Sequence, residues 1–480
     1  MSVAMGVFVA YLFILIGLAL WSRRESQSLD GFYLAGKKLP FWVVAFSTNA
    51  TGESGWLLLG LTAMGFTVGA QAYWVAVGEV LGVWLAWTLV SRRMKRLSDE
   101  TGSITVPDVL SAYFRDEKHV LRTLAVLIIL VMVGVYVTAQ IVAAGKALST
   151  FSTMTYSTAA VVGAIVIIAY TFVGGYKAVA YTDVIQGVLM LLGLIIVPIV
   201  AINAAGGWQS VSDTLTSIDP NLLDMFSITD TGAIGWIALF SFVAIGLPFL
   251  GVPQLMVRFM SAKSEQELVK AKYMSVFVIL LFDIGAVTAG MAGRALFPDL
   301  ADADVIFPLL SRELFPAIIT GVLMVIVLSA IMSTVDSLLL LASSAVVRDG
   351  FQKILGSTRS NESLTKIGKV VTVLIGVSAI PFAIKAPEET IFWFALFAWS
   401  GLGAAFGPVI LCMLYFKKTN LPGAVAGMLV GFTVTMVWIA EFKKQTHDLY
   451  EMIPGFFVGL FVTIVVSLLT QKASAPPTKT

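Results

Sequence analysis

The chain has 480 residues, 58% of them hydrophobic and only 12% charged, with a mean hydropathy of +0.91, against roughly 25% charged residues in a soluble domain. This excludes a soluble globular class and predicts an all-α integral membrane protein held in a lipid bilayer. A net charge of +2 spread over short loops offers no nucleic-acid surface, and a lone cysteine with two histidines excludes a disulfide framework and zinc or haem centres.

In chain order, segments near the roughly 20 apolar residues a spanning helix needs run at about 3–21, 41–66, 69–90, 122–149, 156–174, 183–205 and 232–257. They continue at about 270–292, 315–347, 364–385, 390–416, 421–441 and 452–470, about 13 transmembrane helices in all. The first is too long for the apolar core of a signal peptide and has no positive leader or cleavage site, so it stays as a helix. An odd count puts the termini on opposite sides. Of the 31 basic residues, only Lys146, Arg294, Arg312, Lys385, Lys443 and Lys444 then fall on one side, which predicts the N-terminus outside and the C-terminus inside. The connections are small: a loop of about 25 residues from Gly206 to Thr231, an amphipathic helix around Asp302 to Phe315, and a Ser/Pro/Lys tail after Lys472. None can fold as a domain, which argues against a tethered enzyme or sensor kinase. His119 and His447 lie in loop-like sequence and read as solvated.

The second and seventh segments each open a set of five, about 41–205 and 232–416, and each helix of one set runs opposite to its counterpart. That is the topology of an inverted repeat. It predicts one transporter domain over 1–480: an extra N-terminal helix and loop (1–39), a first repeat (40–205), a second repeat (232–416), two C-terminal helices (417–470) and a cytoplasmic tail (471–480). Both leading helices are interrupted. The first reads Asn49-Ala50-Thr51-Gly52-Glu53-Ser54-Gly55-Trp56, where glycines loosen the helical ladder and freed carbonyls need a partner such as a cation. The other carries Gly246-Leu247-Pro248 and Gly251-Val252-Pro253, where proline removes donors. Paired broken helices point to a binding site at mid-membrane.

The ninth segment carries Ser329-Ala330-Ile331-Met332-Ser333-Thr334-Val335-Asp336-Ser337. Its hydroxyl and carbonyl oxygens suit a hard monovalent cation, and equally suit hydrogen bonding between helices. Glu79, Lys146, Asp283 and Asp336 are further charges inside apolar segments and functional suspects for that reason. A pair between Glu53 and Lys146 is one arrangement they allow.

Ala50-x-x-x-Ser54-Gly55-Trp56-Leu57, Gly174-Gly175-Tyr176-Lys177-Ala178-Val179-x-x-Thr182-Asp183-x-x-Gln186 and Met332-Ser333-Thr334 together resemble the sodium:solute symporter family, most closely its bacterial sodium/proline symporters. The likeness spans roughly residues 5 to 470 and includes Pro107-Asp108 and Gly401-x-Gly403-Ala404-Ala405-Phe406-Gly407-Pro408. It implies a LeuT-type core of five plus five helices with a sodium ion between the first broken helix and the ninth segment. The implied ligands are the carbonyls of Ala50, Glu53 and Ala330 and the hydroxyls of Ser333 and Thr334. Asp183 would lie on the inward sodium path, although it suits equally well as a cap at the cytoplasmic end of the sixth helix. The implied solute cavity takes Ser54, Gly55, Trp56, Tyr136, Gln140, Phe249 and Pro253. In two places the chain departs from the proline transporters. They carry an aspartate where this chain has Gly52, with Glu53 one place later, and a Trp and a Tyr where it has Ile245 and Phe249.

The expected function is sodium-coupled import of a small polar solute, proline or another amino acid, by alternating access in the inner (cytoplasmic) membrane. Sodium is the only metal expected. The alternatives are proton coupling through Glu53 or Asp183, another solute such as a carboxylate, sugar or vitamin-like compound, and a channel, which the lack of a carbonyl filter motif opposes. No paired carboxylates or water-facing His and Cys suggest an enzyme. The oligomeric state stays open, a monomer included.

Overall fold

With no water in hydrocarbon, each backbone N–H and C=O must be satisfied within its own segment, so the long apolar runs become helices. The computed structural model describes residues 3–22, 28–171, 175–386 and 390–471; Arg23, Arg24, Gly174 and the tail after Gln471 lie outside the described residues. Ten of its helices are long and apolar enough to cross a membrane, and the first of these, Phe41–Thr101, is 61 residues long. It turns at Gly69, whose φ of +60° favours glycine.

The helices run α1 (Val3–Ser22), α2 (Leu29–Leu34), α3 (Phe41–Gly55), α4 (Thr62–Val68), α5 (Tyr73–Leu85), α6 (Arg92–Thr101), α7 (Val106–Phe114), α8 (Val120–Phe151), α9 (Tyr156–Thr171) and α10 (Tyr176–Ala204). They continue with α11 (Trp208–Ile218), α12 (Ala233–Ala244), α13 (Pro253–Ser261), α14 (Glu265–Leu296), α15 (Ile306–Leu314) and α16 (Ala317–Ser344). The last four are α17 (Asn361–Ile384), α18 (Ile391–Tyr415), α19 (Leu421–Val437) and α20 (Met452–Leu469). The span from Gly206 to Thr231, expected as a loop, holds α11 and two short 3-10 turns. Its Val211 and Leu215, four apart, are fully buried, and such a stripe makes a helix where bulk polarity suggests a loop.

Burial separates centre from rim. The spans containing α16 and α18 are 83% buried, whereas α17 is 28% buried. Around α3 stand α10, α14 and α16, and α13 packs against it as well. The second break, a 3-10 turn over Leu247–Leu250 between α12 and α13, is clasped by backbone on both sides. A Cβ on Gly246 would lie 1.9 Å from the Gly78 carbonyl of α5, and one on Gly251 would lie 2.2 Å from Cα of Gly407 in α18.

Candidate functional site

The break in α3 is carried by Ser54, at φ 52° and ψ −168°, rather than by either neighbouring glycine. That region belongs to glycine almost alone. Local bonds hold it: the Trp56 N–H donates to Ser54 Oγ at 3.0 Å, the Gly55 N–H donates to Gln140 Oε1 at 3.0 Å, and Gln140 Nε2 donates to Ser54 Oγ at 3.4 Å. The helix resumes through a wide π-helical turn over Trp56–Leu61, a distortion frequent at functional sites.

Facing this break, α16 turns its hydroxyls toward the α3 carbonyls. Ser333 Oγ donates to the Ala50 carbonyl at 2.8 Å and the Ala330 carbonyl at 3.0 Å, while Thr334 Oγ1 lies 3.0 Å from the Thr51 carbonyl. Ala50, Ala330, Ser333 and Thr334 therefore meet in one fully buried place. The Glu53 carbonyl accepts the Trp56 N–H. Thr51, which sequence reasoning did not single out, supplies a further carbonyl and an Oγ1 that meets Ser337 at 3.1 Å. Its signal was its place one residue after Ala50.

Beneath lies a buried polar plug. Asp183 Oδ2 accepts from Ser47 at 2.6 Å and pairs with Arg258 Nη2 at 3.3 Å; the same Nη2 donates to Thr51 at 2.7 Å and also reaches Ser337. Arg258 is 1% exposed and its guanidinium sits 5.4 Å from the Tyr176 ring centre. Asp183 stands two turns inside α10, whose N-cap is Gly175, so the capping role is excluded.

Above the break a small chamber is lined by Gly52, Trp56, Glu79, Tyr136, Ala395, Leu396 and Trp399, with about 10 Å³ of room for water centres, about one molecule's worth. Phe249 borders it through Trp399, ring centres 5.2 Å apart, and a Cβ on Gly52 would come within 3.3 Å of the Phe249 ring. Ser54, Gly55 and Gln140 adjoin it through the bonds above. Pro253 does not line it: it opens α13 beyond the break. Trp56 packs on Phe392 with ring centres 5.4 Å apart and the planes tilted by 31°, and Phe392 also lines a vestibule of about 580 Å³ beside Lys146, Asp302 and Asp304. This aromatic pair separates chamber from vestibule.

Lys146 pairs with Asp304 at 2.8 Å and Asp302 at 3.2 Å, not with Glu53. Glu53 instead meets Glu79 of α5 and Asp283 of α14, each offering a carboxylate oxygen within 4.8 Å of the others. The three residues are 0%, 3% and 0% exposed. Two unit charges at that distance repel by roughly 3–4 kcal/mol at an effective dielectric of 20.

Residues 32–431 match the profile of the Sodium:solute symporter family. The chain is 35% identical to the sodium/proline symporter of Staphylococcus aureus, covering 98% of this chain and 93% of the other, and 34% identical to that of Salmonella typhimurium over the same shares. It is 35% identical to the high-affinity proline transporter PutP of Bacillus subtilis, over 95% of each chain. In fold it is similar to a Na+-coupled sialic acid symporter solved substrate-bound and outward-open, with a TM-score of 0.82, 18% identity and 99% of both chains covered. It is also similar to Mhp1, a nucleobase-cation-symport-1 family transporter, with a TM-score of 0.55, 12% identity and coverage of 92% and 96%. Matched by the profile over most of its length and by proline carriers from end to end, the chain belongs to the sodium:solute symporter family, and it is a multi-pass membrane transporter rather than an enzyme.

Proposed function

We propose that this transporter couples inward movement of sodium to import of proline or another small amino acid by alternating access across the inner membrane. Three things support the reading: family membership, relatives named as proline carriers, and the meeting of Ser333 and Thr334 with carbonyls of a broken helix. The last carries it. The hydroxyls can turn lone pairs to a sodium ion that also takes the Ala50, Glu53 and Ala330 carbonyls, an all-oxygen set fit for a hard cation. Ser54, Gly55, Trp56, Tyr136, Gln140 and Phe249 form the solute side, where the Trp56 indole N–H is a buried donor without a partner among the described residues.

In this reading the chain has about 13 spanning helices: the 61-residue segment counts twice, and α1 and α9 complete the number. The repeats are 40–205 and 232–416, within a single domain over 1–480 flanked by 1–39, 417–470 and the 471–480 tail. Lys/Arg bias places the N-terminus outside. The vestibule then opens outward, Trp56 and Phe392 close the chamber beneath it, and the Arg258–Asp183 pair shuts the inward sodium path. Membrane potential supplies about 2.3 kcal/mol per charge per 100 mV. Because the ion and the solute both stabilise the same α3 break, each raises the other's affinity.

Radiolabelled proline uptake by proteoliposomes is expected to need an inward sodium gradient and to stop when potassium replaces sodium. Uptake that is unaffected by the exchange refutes sodium coupling. A second reading, sodium-coupled import of a different amino acid, is favoured by Gly52 and Phe249, whose contact leaves no side chain where proline carriers place an aspartate. Sodium-dependent thermal stabilisation without proline uptake selects it.

A further inference from the structure

We propose that the carboxylates of Glu53, Glu79 and Asp283 form a second cation site, built for a hard, oxygen-seeking ion and separate from the Ser333 and Thr334 hydroxyls. The donors come from three helices, α3, α5 and α14, so the cluster is not one helix's polar face. Their oxygens lie within 4.8 Å of one another. A triangle with 4.8 Å sides has its centre 4.8/√3, or about 2.8 Å, from each corner, and contraction to the 2.3–2.6 Å typical of oxygen-bound cations is slight.

No N–H or hydroxyl donor satisfies these oxygens. Both of Glu53, both of Asp283 and one of Glu79 are buried and receive no such donor among the described residues, so the three acids have only one another as polar partners there. Buried polar atoms in a membrane interior are paired almost without exception, and Lys146 of α8 is committed to Asp302 and Asp304. The cluster also adjoins the chamber, which one aromatic pair parts from the vestibule. Glu79 and Gly52 line the small chamber, whose Trp56 wall borders the vestibule through Phe392. An all-carboxylate donor set without imidazole or thiol suits a hard cation better than zinc, copper or nickel, and sodium and calcium are the two tested below. This goes beyond the transport reading, and its test counts ions with no solute present, so its failure and the failure of proline symport are separate results.

The experiment is equilibrium binding of ²²Na⁺ and, in a parallel arm, ⁴⁵Ca²⁺ to the purified full-length protein in detergent. For a sodium site, the parent binds two sodium ions per chain. Glu79→Gln and Asp283→Asn each weaken one of the two by at least about tenfold, while Ser333→Ala keeps the carboxylate-bound ion. For a calcium site, one calcium per chain binds and both carboxylate variants lose it. Sodium and calcium binding identical to the parent in both carboxylate variants overturns the proposal. A second measurement needs no carboxylate substitution: in Ser333→Ala, adding sodium or calcium shifts carboxylate stretching bands in infrared difference spectra. Bands unmoved by either ion overturn it equally.

Discussion

At the scale of single residues, Ser54 is the most informative position. It holds a backbone conformation that costs about 1–3 kcal/mol for a non-glycine residue, and Gln140 of α8, 86 residues on in the sequence, supplies bonds that maintain it. Interruption of this helix was legible from Gly52 and Gly55, but its exact carrier was not, because the support is tertiary. Ser333→Ala and Thr334→Ala are each expected to raise the sodium concentration for half-maximal uptake about 10- to 100-fold, the loss of one hydrogen-bonding oxygen to a charged partner. Sodium titration of proteoliposome uptake measures this, and an unshifted curve in both variants removes these hydroxyls from the ion site. Gly52→Ala is expected to destabilise the fold by about 1–3 kcal/mol through overpacking on Phe249. Adding Phe249→Leu should recover most of the lost thermal midpoint. Equal midpoints for Gly52→Ala and the double variant would show the two positions to be independent.

Between elements, long-range pairings decide what charge spacing alone leaves open. Glu53, Glu79, Lys146 and Asp283 are each conspicuous in sequence, yet only packing of α3, α5 and α14 sorts the three acids together and sends Lys146 to Asp304. Periodicity reports a helix's own face, not which neighbour it meets. The same limit hid α11, whose apolar stripe is two residues deep. Arg258 and Asp183 join α13 to α10 beside the proposed ion ligands. Asp183→Asn leaves a buried guanidinium short of its counter-charge, a loss of about 3–5 kcal/mol when one partner of a buried pair is removed. In a Cys412→Ser background, a cysteine placed at Ser337 should then react several-fold faster with a membrane-impermeant thiol reagent added from the basic side. Unchanged labelling would mean that this pair does not close the path.

Across the whole molecule, the helical membrane class and two interrupted helices were legible because hydrocarbon enforces helix over every apolar run. Chamber size was not, since it depends on how aromatic rings from four distant segments settle. Outside the spanning helices, Asp108 of α7 pairs with Arg122 at 2.9 Å and Arg348 at 3.0 Å. Burial alone would push its carboxyl up, but the Arg348 and Arg122 guanidinium groups outweigh that and hold it below the ordinary range. A depressed carboxyl stabilises the fold above its unfolded value near 3.9 and loses that contribution as pH falls through the lower folded value. The thermal midpoint is therefore expected to drop below about pH 4, and Asp108→Asn should lower it at pH 7 while flattening the acid decline. An acid decline equally steep in the variant would assign it to other groups.

The clasp around the second break has a mechanical consequence. Gly246 touches α5 and Gly251 touches α18 through bare backbone, with no side chain between them to flex. These contacts act as rivets that tie α5, the 247–250 turn and α18 closely together. At the α3 break itself Gly52 and Gly55 meet side chains, and Ser54, Gln140, Ser333 and Thr334 hold it through groups that can exchange partners, whereas backbone contact returns at Gly60, whose Cβ would lie 3.0 Å from the Phe392 backbone of α18. Exchangeable contacts are therefore concentrated at the α3 break, and a stroke that opens the chamber is expected to start there rather than at the second break.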